Sequence, residues 1–261
     1  MLAFPVTSRG RSIGCVIFHS TKSTRPWREE DVRLLRLASE SISSFFQRRR
    51  AREEKRNAYE SVVLLLAVAA EARDPYTESH LQRIRGYSEA IASELGLSPE
   101  EVGDMGLASL LHDLGKMRVP DAILTKPGPL SEEEWAVMRR HPIWGEELLP
   151  SHPWYWLARQ VARWHHENWD GTGYPDGLSG EEIPIAAAIT AVADGFDAMT
   201  TQRPYKSAWP PGRAISEIRQ GKGHRYSPKV VEAFERALRK GEIKRVATTS
   251  PPSASDLAKA A

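Results

Sequence analysis

Two adjacent imidazoles lead directly into a turn that is rich in glycine. His165 and His166 are followed by Glu167 and Asp170, and then by the sequence Gly-Thr-Gly-Tyr-Pro at 171–175. Imidazole nitrogens bind zinc, iron, manganese and other transition metals. A metal centre is therefore the chemistry to which this pattern points first.

A second pair, His112 and Asp113, lies in an apolar stretch that the sequence predicts to be helical. An ionised carboxylate buried beside an imidazole is unfavourable unless a cation compensates its charge, and a metal ion would supply that compensation. His80, His141 and Asp194 complete the candidate set. A lone histidine on an apolar helix is more often a core residue, so the prediction depends on the set as a whole.

Five histidines, two aspartates and no sulfur are more ligands than one tetrahedral ion uses. The sequence therefore predicts two divalent ions, held between helices that project their side chains inward. We expect Asp113 to bridge them. A pair of cations can hold phosphoryl oxygens and lower the pKa of a bridging water, whose hydroxide then attacks phosphorus. Lys116, one turn after His112, would neutralise charge on the attacked phosphate, or alternatively would only cap its helix.

Composition limits the classes of function. The 261 residues have a formal net charge of +2 and are 41% hydrophobic, which suits a packed core and gives no global field for DNA, RNA or membranes. Cys15 is the only cysteine, which excludes an internal disulfide and a thiolate zinc site and fits a reducing cytoplasm. The longest apolar run, 62–70, is about half the roughly 20 residues that span a bilayer. We therefore expect a buried helix there, no membrane segment in this chain and a cytoplasmic location.

The hydrophobic periodicity predicts a mainly α fold, a multi-helix bundle preceded by a small N-terminal β-hairpin and a long connecting helix. Strands are expected at 2–7 and 12–19, and a helix begins near Trp27 and continues through the charged stretch 48–56. That stretch would suit nucleic-acid binding, but the interspersed Glu53 and Glu54 favour a solvated connecting helix. Further helices are predicted at 61–73, 80–95, 99–114, 131–140, 145–149, 154–165, 184–200, 211–219 and 228–240.

The opening of the chain resembles the last two strands and final helix of a GAF domain. The sequence Ser-Ile-Gly-Cys-Val at 12–16 and the later Glu-Asp-Val at 30–32 carry this resemblance. It implies that residues 1–47 are a partial GAF-like sensor segment, followed by a helical linker at 48–57. The long N-terminal helix would then be a candidate for homodimer formation.

From residue 58 onward the chain resembles the HD-GYP family, a branch of the HD-domain metal-dependent phosphohydrolases. The matching motifs occur in the family's order, namely Arg-Asp-Pro-Tyr-Thr at 73–77 before His80, His-Asp-Leu-Gly-Lys at 112–116, the stretch 124–130 before His141 and Pro142, His165 to Pro175, Asp194, and Arg-Pro-Tyr-Lys at 203–206. The resemblance implies that the bundle is of the HD type and that it forms a catalytic domain at 58–245. The tail at 246–261 is rich in Ser, Pro and Ala, and this composition predicts that it is disordered.

The same resemblance implies hydrolysis of cyclic di-GMP, a bacterial second messenger, to linear pGpG, with further cleavage to GMP left open. The metal ligands would be His80, His112, Asp113, His141, His165, His166 and Asp194, with iron or manganese as the two divalent ions. Asp113 and Lys116 would be catalytic, and Lys116, Tyr174, Arg203 and Lys206 would bind substrate. Alternatively, Tyr174 would serve only the turn and Arg203 only surface ion pairs.

Three positions depart from the family pattern. Some members carry a glutamate four residues before the first histidine and assemble three ions, but Tyr76 stands here, which favours two. Ala188 replaces a frequent arginine and Ser227 a frequent aspartate, and neither is a proposed ligand. Two alternatives remain: a different cyclic dinucleotide as substrate, and a non-catalytic signalling module whose loop at 170–177 docks a GGDEF-domain cyclase.

Overall fold

The structure is a computed structural model that describes residues 1–19, 26–71, 77–202 and 207–248. It divides into two compact units, Met1–Ser61 and Val62–Ala261. The described residues are mainly helical, with one small hairpin and one long helix, which confirms the predicted fold class. Among them, no helix combines the length and apolar character needed to cross a bilayer.

The first unit contains the hairpin and most of the long helix. Strands β1 (Leu2–Ser8) and β2 (Arg11–Phe18) pair antiparallel, joined through Arg9 and Gly10, both of which have positive φ. Two positive φ values are what a tight hairpin turn with right-handed strand twist requires. Helix α1 (Glu29–Glu71) begins with three acidic residues, which suit the positive end of the helix dipole. The GAF-like character of residues 1–47 stays a prediction.

The second unit is a helical bundle. After the end of α1 its helices are α2 (Thr77–Glu94), α3 (Pro99–Ser109), α4 (Asp121–Leu124), α5 (Glu132–Met138), α6 (His141–Leu148), α7 (Trp156–Trp164), α8 (Ile185–Thr200), α9 (Pro211–Gln220), α10 (Pro228–Arg239) and α11 (Glu242–Thr248), with short 3-10 helices at Leu114–Arg118, Pro153–Tyr155 and Gly180–Glu182. Several starts follow the predicted signals. Ser98 and Ser131 form capping boxes with Glu101 and Glu134.

Helix α8 is the central element of the bundle. It is apolar on nearly every face and contacts α2, α7, α9 and α10. A helix that is hydrophobic all round is a buried helix. Its core neighbours include Ile84 and Ile91 of α2 and Phe234 of α10, which are fully buried. Side chains that α8 directs toward α2 and α7 therefore lie away from bulk solvent.

The predicted helix at 99–114 is wrong in its last turn. Helix α3 ends at Ser109, so His112 and Asp113 lie in a turn before the 3-10 helix rather than in a regular helix. The carbonyl of Ser109 accepts from His112 Nδ1 at 2.9 Å. In addition, the backbone at Gly115 passes so close to α6 that a Cβ there would overlap the carbonyl oxygen of His141. Only glycine, which has no Cβ, permits this close approach of the chain to α6.

Two further boundaries differ from the predictions. The predicted helix at 145–149 begins four residues earlier, so His141 is the first residue of α6 rather than part of a connection between two helices. Pro142 fits the first turn of α6, because no backbone N–H is needed there. Helix α11 extends to Thr248, three residues into the range predicted as a tail. Residues 249–261, like the motifs at 73–76 and 203–206, lie outside the described residues.

Candidate metal centre

The seven predicted ligands come together in two adjacent groups inside the second unit. Ligand atoms within each group lie within 4.8 Å of one another. The first group is Asp113, His141, His165 and His166, and the second is His80, His112 and Asp194. Five elements contribute: α2, the turn after α3, the start of α6, the end of α7 and α8. All five elements are helices or segments at helix ends, so the grouping depends on how the helices pack.

Asp113 lies between the two groups. Its Oδ1 is 3.2 Å from His141 Nε2 and 3.9 Å from His165 Nε2, whereas its Oδ2 is 3.2 Å from His112 Nε2. One carboxylate oxygen therefore faces each group. This is the arrangement that a carboxylate bridging two cations needs.

Backbone carbonyls orient three of the imidazoles. His112 Nδ1 lies 2.9 Å from the Ser109 carbonyl oxygen, His141 Nδ1 lies 2.9 Å from that of Met138, and His165 Nδ1 lies 3.0 Å from that of Val161. Because a carbonyl oxygen only accepts, each Nδ1 must carry the proton and donate. In the neutral ring this leaves the Nε2 lone pair directed toward the cluster, as in metal-binding histidines.

A carboxylate orients the fourth imidazole. His80 Nδ1 lies 2.7 Å from Oδ2 of Asp197, a residue that the sequence analysis did not single out. Asp197 also accepts from Arg83 Nε at 2.5 Å and from the Thr201 hydroxyl at 3.3 Å. Burial alone would raise the pKa of Asp197, but the hydrogen bonds from His80 and Arg83 lower it below its usual range. The spacing of Asp197 three residues after Asp194, on the same face of α8, is the signal that could have revealed it.

The charges of the first group suit a cation. Burial raises the pKa of Asp113, but Lys116 and His112 outweigh this effect and hold the pKa well below its usual range, so the carboxyl is ionised. Burial lowers the pKa of His165, and it lowers the pKa of His166 to about 3, with His141 adding to the shift, so both rings are neutral with free lone pairs. Asp113 Oδ1 is buried and accepts no hydrogen bond of good geometry from a described residue. These residues fit a divalent ion with nitrogen and oxygen ligands.

Two predicted substrate-contacting residues border the groups. Lys116 Nζ forms an ion pair with Asp113 and is partly exposed. The Tyr174 ring stacks on the His166 imidazole, with centroids 4.8 Å apart and planes inclined by 25°. The other two, Arg203 and Lys206, lie outside the described residues. Lys116 and Tyr174 are thus in contact with candidate ligands of the first group.

The glycine-rich turn is held by a buried carboxylate. Glu167 accepts from the backbone N–H groups of Asp176 at 2.8 Å, Gly177 at 3.1 Å and Leu178 at 3.1 Å. The predicted positive φ occurs at Gly171 and Gly177. Gly173 is needed for a different reason, because a Cβ there would lie 2.5 Å from Glu167 Cα. The sequence analysis noted Glu167 beside the histidines but gave it no role.

The side chain of Asp176 makes a second connection between the turn and the bundle. It accepts from Arg163 Nε at 2.7 Å and Nη2 at 2.9 Å, and from Trp164 Nε1 at 2.8 Å. This bidentate ion pair ties the turn to the end of α7, two residues before His165. The turn that carries Tyr174 is therefore held by two carboxylates, Glu167 through backbone N–H groups and Asp176 through Arg163 and Trp164.

Comparison with known proteins identifies relatives of the bundle. A family model described as HD domain matches residues 65–230. A 3'3'-cGAMP-specific phosphodiesterase of Vibrio cholerae is 40% identical over 206 residues, which cover 78% of this chain and 40% of that protein. A cyclic di-GMP phosphodiesterase of Thermotoga maritima is 45% identical over 175 residues, covering 66% of this chain and 48% of that protein. The chain thus spans about half the length of the curated relatives it matches, or less.

Solved structures share the fold. A cyclic GMP-AMP specific phosphodiesterase of V. cholerae aligns with a TM-score of 0.52 and 19% identity, covering 74% of this chain and 54% of that one. A protein of Bdellovibrio bacteriovorus described as HDG"Y"P aligns with a TM-score of 0.50 and 22% identity, covering 69% and 60%. At these identities the likeness concerns the fold alone.

Proposed function

The chain belongs to the HD-domain family, in its HD-GYP branch, and on this premise we propose that it is a metal-dependent phosphodiesterase that hydrolyses cyclic di-GMP to pGpG. The observation that carries the proposal is the position of Asp113, with one carboxylate oxygen toward each group of ligand-type side chains. The name of the T. maritima relative, a cyclic di-GMP phosphodiesterase, supports the substrate. Further cleavage to GMP is a matter for product analysis.

We propose that the bundle holds two divalent ions, iron or manganese. One would be bound by Asp113, His141, His165 and His166, and the other by His80, His112, Asp113 and Asp194. Imidazole and carboxylate ligands without sulfur favour these metals over copper(I). When bound, such a pair supplies Lewis acidity toward phosphoryl oxygens and an activated water.

The chain's own residues supply binding and orientation. Lys116, already paired with Asp113, would neutralise negative charge on the phosphate that is attacked. Tyr174, stacked on His166, would border the bound nucleotide. Arg203 and Lys206 would grip a second phosphate, the arginine bidentately. These four residues together would hold the scissile phosphate against the ligand groups.

The decisive experiment measures hydrolysis of cyclic di-GMP by protein that was purified without oxygen and loaded with Mn²⁺ or Fe²⁺. The wild-type chain should form pGpG, and His112→Ala and Asp113→Ala should abolish turnover while keeping the helical circular dichroism spectrum. Asp121→Asn, an exposed carboxylate on α4, is the control and should retain activity. Full turnover by His112→Ala or Asp113→Ala would refute the metal mechanism.

A second candidate substrate is 3'3'-cGAMP, because three relatives from V. cholerae carry that activity in their names. A panel of cyclic di-GMP, 3'3'-cGAMP and cyclic di-AMP separates the two candidates by relative kcat/KM. The chain could alternatively belong to another functional class, that of non-catalytic nucleotide-binding modules. Tight binding of cyclic di-GMP with no product under metal-replete, anaerobic conditions would support that alternative.

We further propose a cytoplasmic location, docking of a GGDEF-domain protein on the turn at 170–177 and homodimer formation through α1. Several apolar residues of α1 are exposed in this chain, among them Leu34, Leu37 and Phe45. Light scattering on the purified chain tests the dimer. Binding of a GGDEF domain to the wild type and to Tyr174→Ala tests the docking.

A further inference from the structure

Four side chains form a row that runs from the first ligand group to the surface. The Tyr174 ring stacks on His166, and the guanidinium carbon of Arg139 lies 5.8 Å from the centre of the Tyr174 ring. The same carbon lies 5.9 Å from the centre of the Trp135 ring. Arg139 thus stands between two aromatic rings, within the range at which a cation is attracted to an aromatic face.

The charge of Arg139 is not neutralised within the described part of the chain. By contrast, Arg159 and Arg163 both form ion pairs with Glu146, and Arg163 also pairs with Asp176. No described carboxylate lies within ion-pair distance of Arg139, and its side chain is exposed. Its donors are therefore available to a ligand, while the rings on either side restrict the orientation of the guanidinium plane.

Trp135 offers a flat apolar surface beside those donors. It lies on α5, one helical turn before Arg139, and its side chain is 43% exposed. A large aromatic ring left this open next to a polar site is the feature on which a nucleobase can stack. The Trp135 ring provides a stacking surface, and the Arg139 guanidinium beside it provides two coplanar donors. Together they match a purine that carries two acceptors on one edge.

We propose that Arg139 and Trp135 form a guanine-binding subsite for the cyclic dinucleotide. This proposal rests on the proposed function, because it concerns which base the same site prefers in its cyclic dinucleotide substrate. Arg139 would donate two hydrogen bonds to O6 and N7 of guanine, the commonest specific contact of arginine with a base. Adenine presents an amino group where guanine has O6, so it would repel one of the two donors. The base would stack on Trp135.

The test compares guanine and adenine substrates on Arg139→Gln, Trp135→Ala and the control Arg140→Gln. Arg140 is adjacent and exposed, and its guanidinium lies over Trp144, outside the row. For Arg139→Gln we expect KM for cyclic di-GMP to rise about ten-fold, since one bidentate contact to guanine is worth a factor of that order. We expect kcat to change little and Arg140→Gln to resemble the wild type. KM for cyclic di-AMP should fall, because the donor that faces the adenine amino group is removed and glutamine can pair with N6 and N7 of adenine.

Equilibrium binding separates this inference from the proposed function. Dissociation constants for cyclic di-GMP and cyclic di-AMP are measured in the Asp113→Asn background, in which no turnover is expected. A loss of guanine preference on adding Arg139→Gln supports the subsite even if the wild-type chain turns over no dinucleotide. An unchanged KM and dissociation constant for cyclic di-GMP overturns it. An equal loss for both dinucleotides also overturns it, because that result indicates a phosphate contact.

Discussion

His80 Nδ1 and Asp197 Oδ2 lie 2.7 Å apart and join α2 to α8 across 117 positions of sequence. The Asp197 side chain is only 1% exposed and also accepts from Arg83. A buried carboxylate with these two partners is fixed in position, so it fixes the plane of the imidazole. The other ring nitrogen of His80 is thereby held in the group that also contains His112 and Asp194.

Asp197→Asn should weaken one of the two proposed ions. The amide keeps the shape but replaces one acceptor oxygen with a donor, so His80 and Arg83 no longer both find partners. Loss of such an outer partner lowers metal affinity about 10- to 100-fold. In a Mn²⁺ titration the stoichiometry at micromolar metal should fall from two toward one. Asp121→Asn serves as the control, and two unaffected sites in Asp197→Asn would contradict the orienting role.

Alanine substitutions should separate the two groups. His80→Ala removes a proposed ligand from the second group only and His166→Ala from the first group only, so each should lower the affinity for one ion. Asp113→Ala removes the carboxylate that faces both groups and should lower the affinity for both. Electron paramagnetic resonance of bound Mn²⁺ distinguishes coupled pairs from single ions. If Asp113→Ala retains a coupled pair, the carboxylate does not bridge.

Gly115→Ala should disrupt the centre through packing alone. A Cβ at this position would overlap the His141 carbonyl oxygen, and this neighbour is backbone that cannot turn aside. Overpacking of this kind costs at least about 1–3 kcal/mol of unfolding free energy. Gly212→Ala, on α9, meets nothing within 4 Å and should be neutral or stabilising by up to about 1 kcal/mol. Thermal unfolding and metal content measure both effects, and equal stability of the two variants would be inconsistent with this packing.

Glu167→Ala should loosen the turn that carries Tyr174. It leaves three backbone N–H groups without their buried acceptor, which costs about 1–3 kcal/mol. Asp176→Ala removes a partly exposed ion pair, which costs less than about 1 kcal/mol. Urea unfolding gives both values, and hydrogen exchange at Gly177 and Leu178 locates the change. A larger effect for Asp176→Ala would reverse the ranking derived from burial.

Metal removal should lower stability. Ions that bind only the folded chain stabilise it by about 2.7 kcal/mol when their concentration is 100 times the dissociation constant. We therefore expect Tm to fall with a chelator and to recover with Mn²⁺. Asp113→Ala, which lacks the carboxylate proposed to bridge the two ions, should show a much smaller response. A wild-type Tm that does not change with Mn²⁺ would speak against binding in this bundle.

The sequence by itself determined the helical bundle, the hairpin and the set of ligand-type residues. These properties are local, since apolar periodicity, capping residues and adjacent pairs such as His165 and His166 are read from neighbouring positions. The end of α3 was misplaced because the apolar pattern continues to Leu114, whereas the chain leaves the helix at Ser109 to pass His141 closely.

Only the tertiary structure decided how those residues are grouped. It placed Asp113 between the two groups, set Asp197 behind His80 and aligned Trp135, Arg139 and Tyr174 in a row. Apart from the pair Trp135 and Arg139, which are one turn apart on α5, these relationships join residues of different elements, and side-chain packing between the elements sets which faces meet. Distance along the chain carries no information about that packing.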